Sequence, residues 1–330
     1  MIQALVAALI GLIAASLVFT CGLSRRLEAR YPPIGQRIAL EGGRLHIVET
    51  ASAGPARAAV VLVHGGSGNF ADPHVALAEP LAAHGFRVFA VDRPGHGYSD
   101  RLGGRAAASP RRQAQSIREA LERCGIREAI VVVHSLSGVL GLAMALDAPQ
   151  FTRGLVLLAP VSHPWKGGIT WYYTVAAAPV VGALFRWLIV PLAGLATMRG
   201  AVREVFAPNP VPPEYTDRTR LALLFRPRQF RANAEDFVDL HAATVALSPR
   251  YSEISTPTAI VMGAADSLVS ADIHAGRCAR DIPGATLRLL DGVGHSPHFS
   301  APEAVIEAVL EVERRAAAAT PGKPAIQATA

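Results

Sequence analysis

Charge and cysteine are scarce in this sequence. Only 18% of its 330 residues are Asp, Glu, Lys or Arg, against 51% hydrophobic, so the chain can build a large buried core and lacks the charge density of a disordered one. The three cysteines, Cys21, Cys124 and Cys278, stand far apart with no CxxC or other metal-ligand spacing. That excludes a disulfide framework and a thiolate metal centre, and leaves free structural thiols. The net charge is +6, yet there is no basic stripe. The arginines are scattered between apolar runs, which argues against nucleic acid as a partner.

Basic residues are also missing ahead of the first apolar run. From Ile2 to about Leu23 the chain is apolar apart from Gln3 and a few small hydroxyl residues, about the ~20 residues that a membrane-spanning helix needs. A cleaved signal peptide would normally open with Lys or Arg, and Phe19-Thr20 before Cys21 does not suit a lipoprotein cleavage site. Residues 1–23 therefore read as a single-pass anchor, with the membrane as partner. Arg25, Arg26 and Arg30 follow directly; basic flanks prefer the cytoplasmic side, so the expectation is a bacterial inner-membrane protein whose catalytic domain faces the cytoplasm.

Beyond the anchor the chain alternates. Gln36 to Leu40 and Arg44 to Val48 flank Glu41-Gly42-Gly43 and read as a β-hairpin. Continuous apolar runs at Ala59–Val63, Arg87–Val91, Ala129–Val133, Leu155–Ala159, Thr258–Met262 and Ala285–Leu290 have the pattern of strands covered on both faces. Helical stretches from about Arg111 to Cys124 and from Val139 to Ala148 separate some of them. The fold class expected is α/β, a mostly parallel central sheet with helices on both faces. Its core would comprise residues 31–162 and 241–315, with a helical cap inserted at 163–240 and a disordered tail at 316–330. Within the cap, Trp171 to Met198 is very apolar but is interrupted by Pro179, Arg186 and Pro191. A mid-helix Arg costs a few kcal/mol in lipid, which favours a greasy cap over a pocket or against the bilayer rather than a second span.

A serine hydroxyl needs a base within hydrogen-bond reach, and the base needs an acid to fix its tautomer. Ser135 lies where a buried strand meets a helix, in Val133-His134-Ser135-Leu136-Ser137-Gly138. A sharp turn there would lift the hydroxyl clear of the sheet, beside helix-start amides that favour developing negative charge. Such a turn needs small residues two before and two after the nucleophile. Ser137 meets that demand; Val133, β-branched where glycine is usual, does not. The rival reading of Ser135 is a helix cap.

These residues resemble the α/β-hydrolase superfamily over most of the chain, from about Tyr31 to Arg314. His64-Gly65-Gly66 is similar to the family's loop after its third strand, and Asp92-Arg93-Pro94-Gly95-His96-Gly97-Tyr98-Ser99 to its mainly structural turn after the fourth. The resemblance implies that the amides of Gly66 and Leu136 hold the oxyanion, where one donor is typically worth about 3 kcal/mol. It places the acid at Asp266, in Met262-Gly263-Ala264-Ala265-Asp266, because the other family position offers only Pro160-Val161-Ser162. It places the base at His295, in Asp291-Gly292-Val293-Gly294-His295-Ser296-Pro297. The order Ser135, Asp266, His295 is the one that this fold uses. Haloalkane dehalogenases and soluble epoxide hydrolases of the fold carry aspartate as nucleophile, so serine implies an acyl-enzyme instead.

The expected function is hydrolysis of a carboxylic ester, with its close variants left open: amide, thioester or carbon-carbon cleavage would use the same triad. A catalytically silent, membrane-anchored binding protein is the alternative of another class, motivated by Val133. No cofactor is required. His295 and His298 form an HxxH pair, but with no carboxylate or cysteine at ligand spacing no metal is expected. The apolar cap and the anchor together predict a small, lipophilic ester as substrate.

Overall fold

The computed structural model describes residues 1–52 and 54–319. It opens with one long helix, α1 (Ile2–Arg30), followed by the antiparallel hairpin β1 (Gln36–Leu40) and β2 (Gly43–Thr50). Then come β3 (Ala58–Val63), α2 (Ala71–Ala83), β4 (Phe86–Val91), α3 (Pro110–Arg123), β5 (Ala129–His134), α4 (Gly138–Asp147) and β6 (Thr152–Leu158). A helical excursion follows: α5 (Trp171–Ala177), α6 (Val180–Leu188), α7 (Val190–Phe206), α8 (Tyr215–Arg218) and α9 (Pro227–Leu247). The chain returns through β7 (Thr258–Gly263), α10 (Arg277–Asp281), β8 (Thr286–Leu290), α11 (Pro297–Ser300) and α12 (Pro302–Ala319).

The eight strands form one sheet in the order β1-β2-β4-β3-β5-β6-β7-β8. Pairing is antiparallel from β1 through β4 and parallel from there on. The continuous apolar runs of β3 to β7 follow from burial on both faces, whereas the last expected run, β8, is only partly covered, with Leu287 and Leu289 exposed. Along β5, Val131 and Val133 enter the core on one side while Ile130 and Val132 enter the core on the other, so no position is left to be polar. The chain moves outward from β3 to β4 and then crosses back to β5 on the other side of β3. At such a switch point the loops leaving two adjacent carboxyl ends diverge and open a crevice. The loops after β3 and β5 carry Gly65-Gly66 and Ser135.

Two boundaries differ from expectation. α12 continues to Ala319 with Ala316 buried, so residues 316–319 are helix rather than tail; alanine is the best helix former and carries the helix on past its last apolar contact. The rest of the expected tail, 320–330, lies outside the described residues. α9 runs seven residues past the expected end of the cap at 240, because Leu240 and Leu247 are buried in the main core.

Candidate active site

β5 ends with His134 in extended conformation, and Ser135 then takes φ of 52°, the left-handed region that L-residues other than Asn and Asp rarely enter. The strain is held from both sides. The Val161 amide donates to the Ser135 carbonyl at 2.9 Å, and Ser137 Oγ donates to the His64 carbonyl at 2.6 Å. Val133 is accommodated by a glycine elsewhere. A Cβ on Gly141, one turn into α4, would come within 2.8 and 3.0 Å of the two Val133 methyls. The space that a small residue would normally leave on the strand is left on the helix instead.

The turn brings three loops together. Ser135 Oγ lies 2.8 Å from His295 Nε2, and His295 Nδ1 lies 2.7 Å from Asp266 Oδ2. The other Asp266 oxygen accepts the amides of Leu268 and Val269 at 2.8 and 3.0 Å, which fixes the carboxylate and leaves Oδ2 to orient the imidazole. Ser135 is half-buried and lines a cavity of about 1330 Å³ together with Asp266 and His295. Gly66 and Leu136 line the same cavity, and a Cβ on Gly66 would lie 3.5 Å from the Leu136 side chain. All five residues singled out in the sequence therefore meet at one place. Asp92 and His96 do not join them: Asp92 accepts the amides of Phe70 and Tyr98 in a buried turn.

Several neighbours carry no sequence motif. Asn233, on α9, accepts the Ser67 amide at 2.7 Å and donates to Ser67 Oγ at 3.1 Å, so the cap fixes the loop that bears Gly66. Phe237, one turn further, packs on Gly66 so closely that a Cβ there would stand 2.5 Å from its ring. Asn209 clamps the base loop, accepting the Gly294 amide at 2.8 Å and donating to the Gly292 carbonyl at 2.9 Å.

Beneath the triad, Asp72, His134 and His298 are buried with one ligand-type atom each within 4.8 Å of one another, so His298 does have a carboxylate and an imidazole for company. Hydrogen bonds satisfy the cluster except at His298 Nδ1, which has no partner among the described residues. Asp72 accepts from Tyr215 Oη at 2.7 Å and pairs with His298 Nε2 at 3.1 Å, while His134 Nε2 donates to the His295 carbonyl at 2.9 Å. Burial opposes ionisation of Asp72, but His298, His134 and the Tyr215 hydroxyl outweigh it and hold the carboxyl down at about 2. Burial, aided by His298 and His295, pushes His134 well below the ordinary imidazole range. A neutral His134 suits a group that braces the base loop through one N–H.

Such a sheet, with a strained serine at the carboxyl end of a central strand and an Asp–His pair on later loops, defines a hydrolase of the α/β class. The chain belongs to the alpha/beta hydrolase fold family, whose model matches residues 58–302. It is 27% identical over 268 residues to a 2-hydroxy-6-oxononadienedioate/2-hydroxy-6-oxononatrienedioate hydrolase of Cupriavidus pinatubonensis, covering 76% of this chain and 84% of that one. A dihydrolipoyllysine-residue acetyltransferase component of an acetoin cleaving system from Cupriavidus necator is 36% identical over 103 residues, but the match spans only 26% of that protein and 31% of this one. Among solved structures, a membrane phospholipase A superposes with a TM-score of 0.65 at 17% identity, covering 96% of this chain and 99% of that one.

Proposed function

We propose that the protein is a serine hydrolase that cleaves a carboxylic ester of a lipophilic substrate, held at a membrane by α1. The observation that carries the reading is the unbroken Ser135–His295–Asp266 relay, 2.8 and 2.7 Å between heavy atoms. In this reading His295 Nε2 takes the Ser135 proton as Oγ attacks the acyl carbonyl. The oxyanion is met by the amides of Gly66 and Leu136, the imidazolium hands its proton to the leaving alcohol, and His295 then activates the water that frees the acyl group.

The cavity favours a neutral, greasy substrate. Trp165, Ile169, Phe185, Met198, Phe225 and Phe230 are among its walls, and Lys166 is the sole Lys or Arg among the described residues that line it. A dicarboxylate such as the one named for the Cupriavidus pinatubonensis relative would need cations to replace its lost hydration, which argues against hydrolysis of such a substrate here. α1 has the length and apolarity to cross a bilayer and is exposed along most of its surface. Its packing through Leu23 and Leu27 against Leu223 supports a helix retained in the mature protein rather than a removed signal. Arg25 and Arg26 support a cytoplasmic catalytic domain.

The test is a panel of p-nitrophenyl esters from butyrate to palmitate, hydrolysed by the detergent-solubilised full chain and by Ser135→Ala. The wild type is expected to prefer the longer chains and to be labelled by a serine-directed phosphonate at Ser135, and the variant to lose at least about 10³-fold in kcat. Full activity in Ser135→Ala without labelling of the wild type would sink the mechanism.

A further inference from the structure

The cap and α1 are joined at a level that a soluble cap would have no reason to reach. Ser16 Oγ donates to the Leu188 carbonyl at 2.9 Å, and Thr20 Oγ1 donates to the Trp187 carbonyl at 2.8 Å. Both carbonyls belong to the last turn of α6, where helical pairing runs out. Thr20 precedes Arg25 by five residues and Ser16 precedes it by nine, which at 1.5 Å per residue is about 8 and 13 Å along α1. If the arginines mark the headgroup boundary, the end of α6 lies that far inside a hydrocarbon half-layer of about 15 Å.

Its surroundings suit that depth. Backbone polar groups at a helix break in lipid must be met by protein, and here two hydroxyls from an otherwise apolar helix meet them. Leu195 of α7 joins Leu23 and Leu27 in one cluster, so beyond the break the chain turns back toward the protein. The two cap helices meet at 63°, so α6 and α7 are not one straight span. The outer face of α6 carries Val180, Val181 and Leu184 at 74%, 63% and 58% exposure. Its one charge, Arg186, is turned inward and buried on the carbonyls of Ala176 and Ala178. Phe185, on the inner face, lines the cavity that holds Ser135, as do Val190, Ala193 and Thr197 of α7.

We propose that α6 and the start of α7 are submerged in the same leaflet that α1 enters, with Val180, Val181 and Leu184 against the acyl chains, so that a single layer of cap helix separates the leaflet from the active-site cavity. The partner is the lipid bilayer itself. This rests on α1 being a membrane helix and deepens the proposed function: the substrate enters from the leaflet and not from water.

The experiment uses the full chain in vesicles of phosphatidylcholine and phosphatidylglycerol, with Cys21→Ser and Cys124→Ser as background. A nitroxide is placed at Leu184→Cys, and in a separate sample at Arg118→Cys on α3 as an aqueous control. The Leu184 label is expected to collide with oxygen more than with a water-soluble nickel chelate, and the Arg118 label the reverse. Equal nickel access at the two sites overturns the proposal, and shielding of Leu184 from both agents with spin-spin broadening overturns it in favour of a second copy of the chain. Val181→Glu/Leu184→Glu, at residues outside the cavity wall, should keep butyrate ester turnover in detergent but lose at least tenfold on a long-chain ester embedded in vesicles. Unchanged vesicle turnover would refute entry from the leaflet. The depth measurement needs no activity, so an inert wild type would count against the serine hydrolase reading alone.

Discussion

A β-branched side chain two residues before the nucleophile should crowd the turn, because helix α4 must leave the strand at close range. The crowding is real but is relieved at Gly141, whose Cα faces both Val133 methyls. Two opposing effects meet at that glycine. Replacing it by alanine would raise helix propensity by up to about 1 kcal/mol, yet the new Cβ would stand 2.8 Å from Val133 Cγ2 and 3.0 Å from Leu155 Cδ1. Overpacking of a rigid core costs about 1–3 kcal/mol, so sterics should win. Gly141→Ala is expected to lower the urea unfolding midpoint and, since α4 carries the turn, to depress esterase activity with it. The double variant Gly141→Ala/Val133→Gly should lose less than the sum of the two single losses, because removing the Val133 methyls makes room for the new Cβ. Additive losses in the double variant would show that the two positions do not share the space.

At the scale of elements, α9 does most to join cap and core. Arg93, wholly buried on the loop after β4, donates to Asp236 at 2.6 Å and to Gln113 at 3.0 Å, and Arg101 reaches the other Asp236 oxygen at 2.9 Å. Burial pushes Asp236 up and Arg93 down from their ordinary ranges, each partly offset by the other. Asp236→Ala would strand a buried guanidinium, for which about 3–5 kcal/mol is usual, whereas Glu122→Ala in the exposed pair with Arg118 should cost less than about 0.5 kcal/mol. Thermal or urea unfolding of the two variants checks the contrast. None of this was legible in the sequence. The buried strands were, because residues covered on both faces leave a continuous apolar signature, and Ser135 and Asp266 could be singled out because each follows such a strand in a short loop; His295 follows the half-exposed β8 and was singled out by its loop motif instead. α2 was not read, with Pro73 and Pro80 inside it; its first turn can hold a proline and Pro80 lies near its end. Asn233, Asn209 and Asp72 act through contacts 85 or more residues away in the chain, with no local pattern to announce them.

Across the whole molecule, histidine burial sets how the protein should answer acid. His64 is held down at about 3 and His274 at about 4, and His96 and His134 lie well below the usual imidazole range, in each case chiefly because burial disfavours the charged form. In the unfolded chain all four would titrate near 6.5. The unfolded state therefore binds more protons than the folded one once the pH drops below about 6.5, and stability falls with pH across that window. For His64 alone the loss between pH 7.5 and pH 5 is about 2 kcal/mol. Asp72 adds a later loss, since its folded value of about 2 lies below the unfolded carboxylate value: its contribution is complete above about pH 4 and disappears as the pH falls through 2. The detergent-solubilised chain should accordingly show a urea midpoint that is flat from pH 7 to 8 and falls steadily from pH 6.5 to 4. Proton uptake on unfolding at pH 5, measured by calorimetry in buffers of different ionisation enthalpy, should exceed two per molecule. An uptake below one would mean that these imidazoles are not neutral in the fold, and His134 would then brace the base loop as a cation.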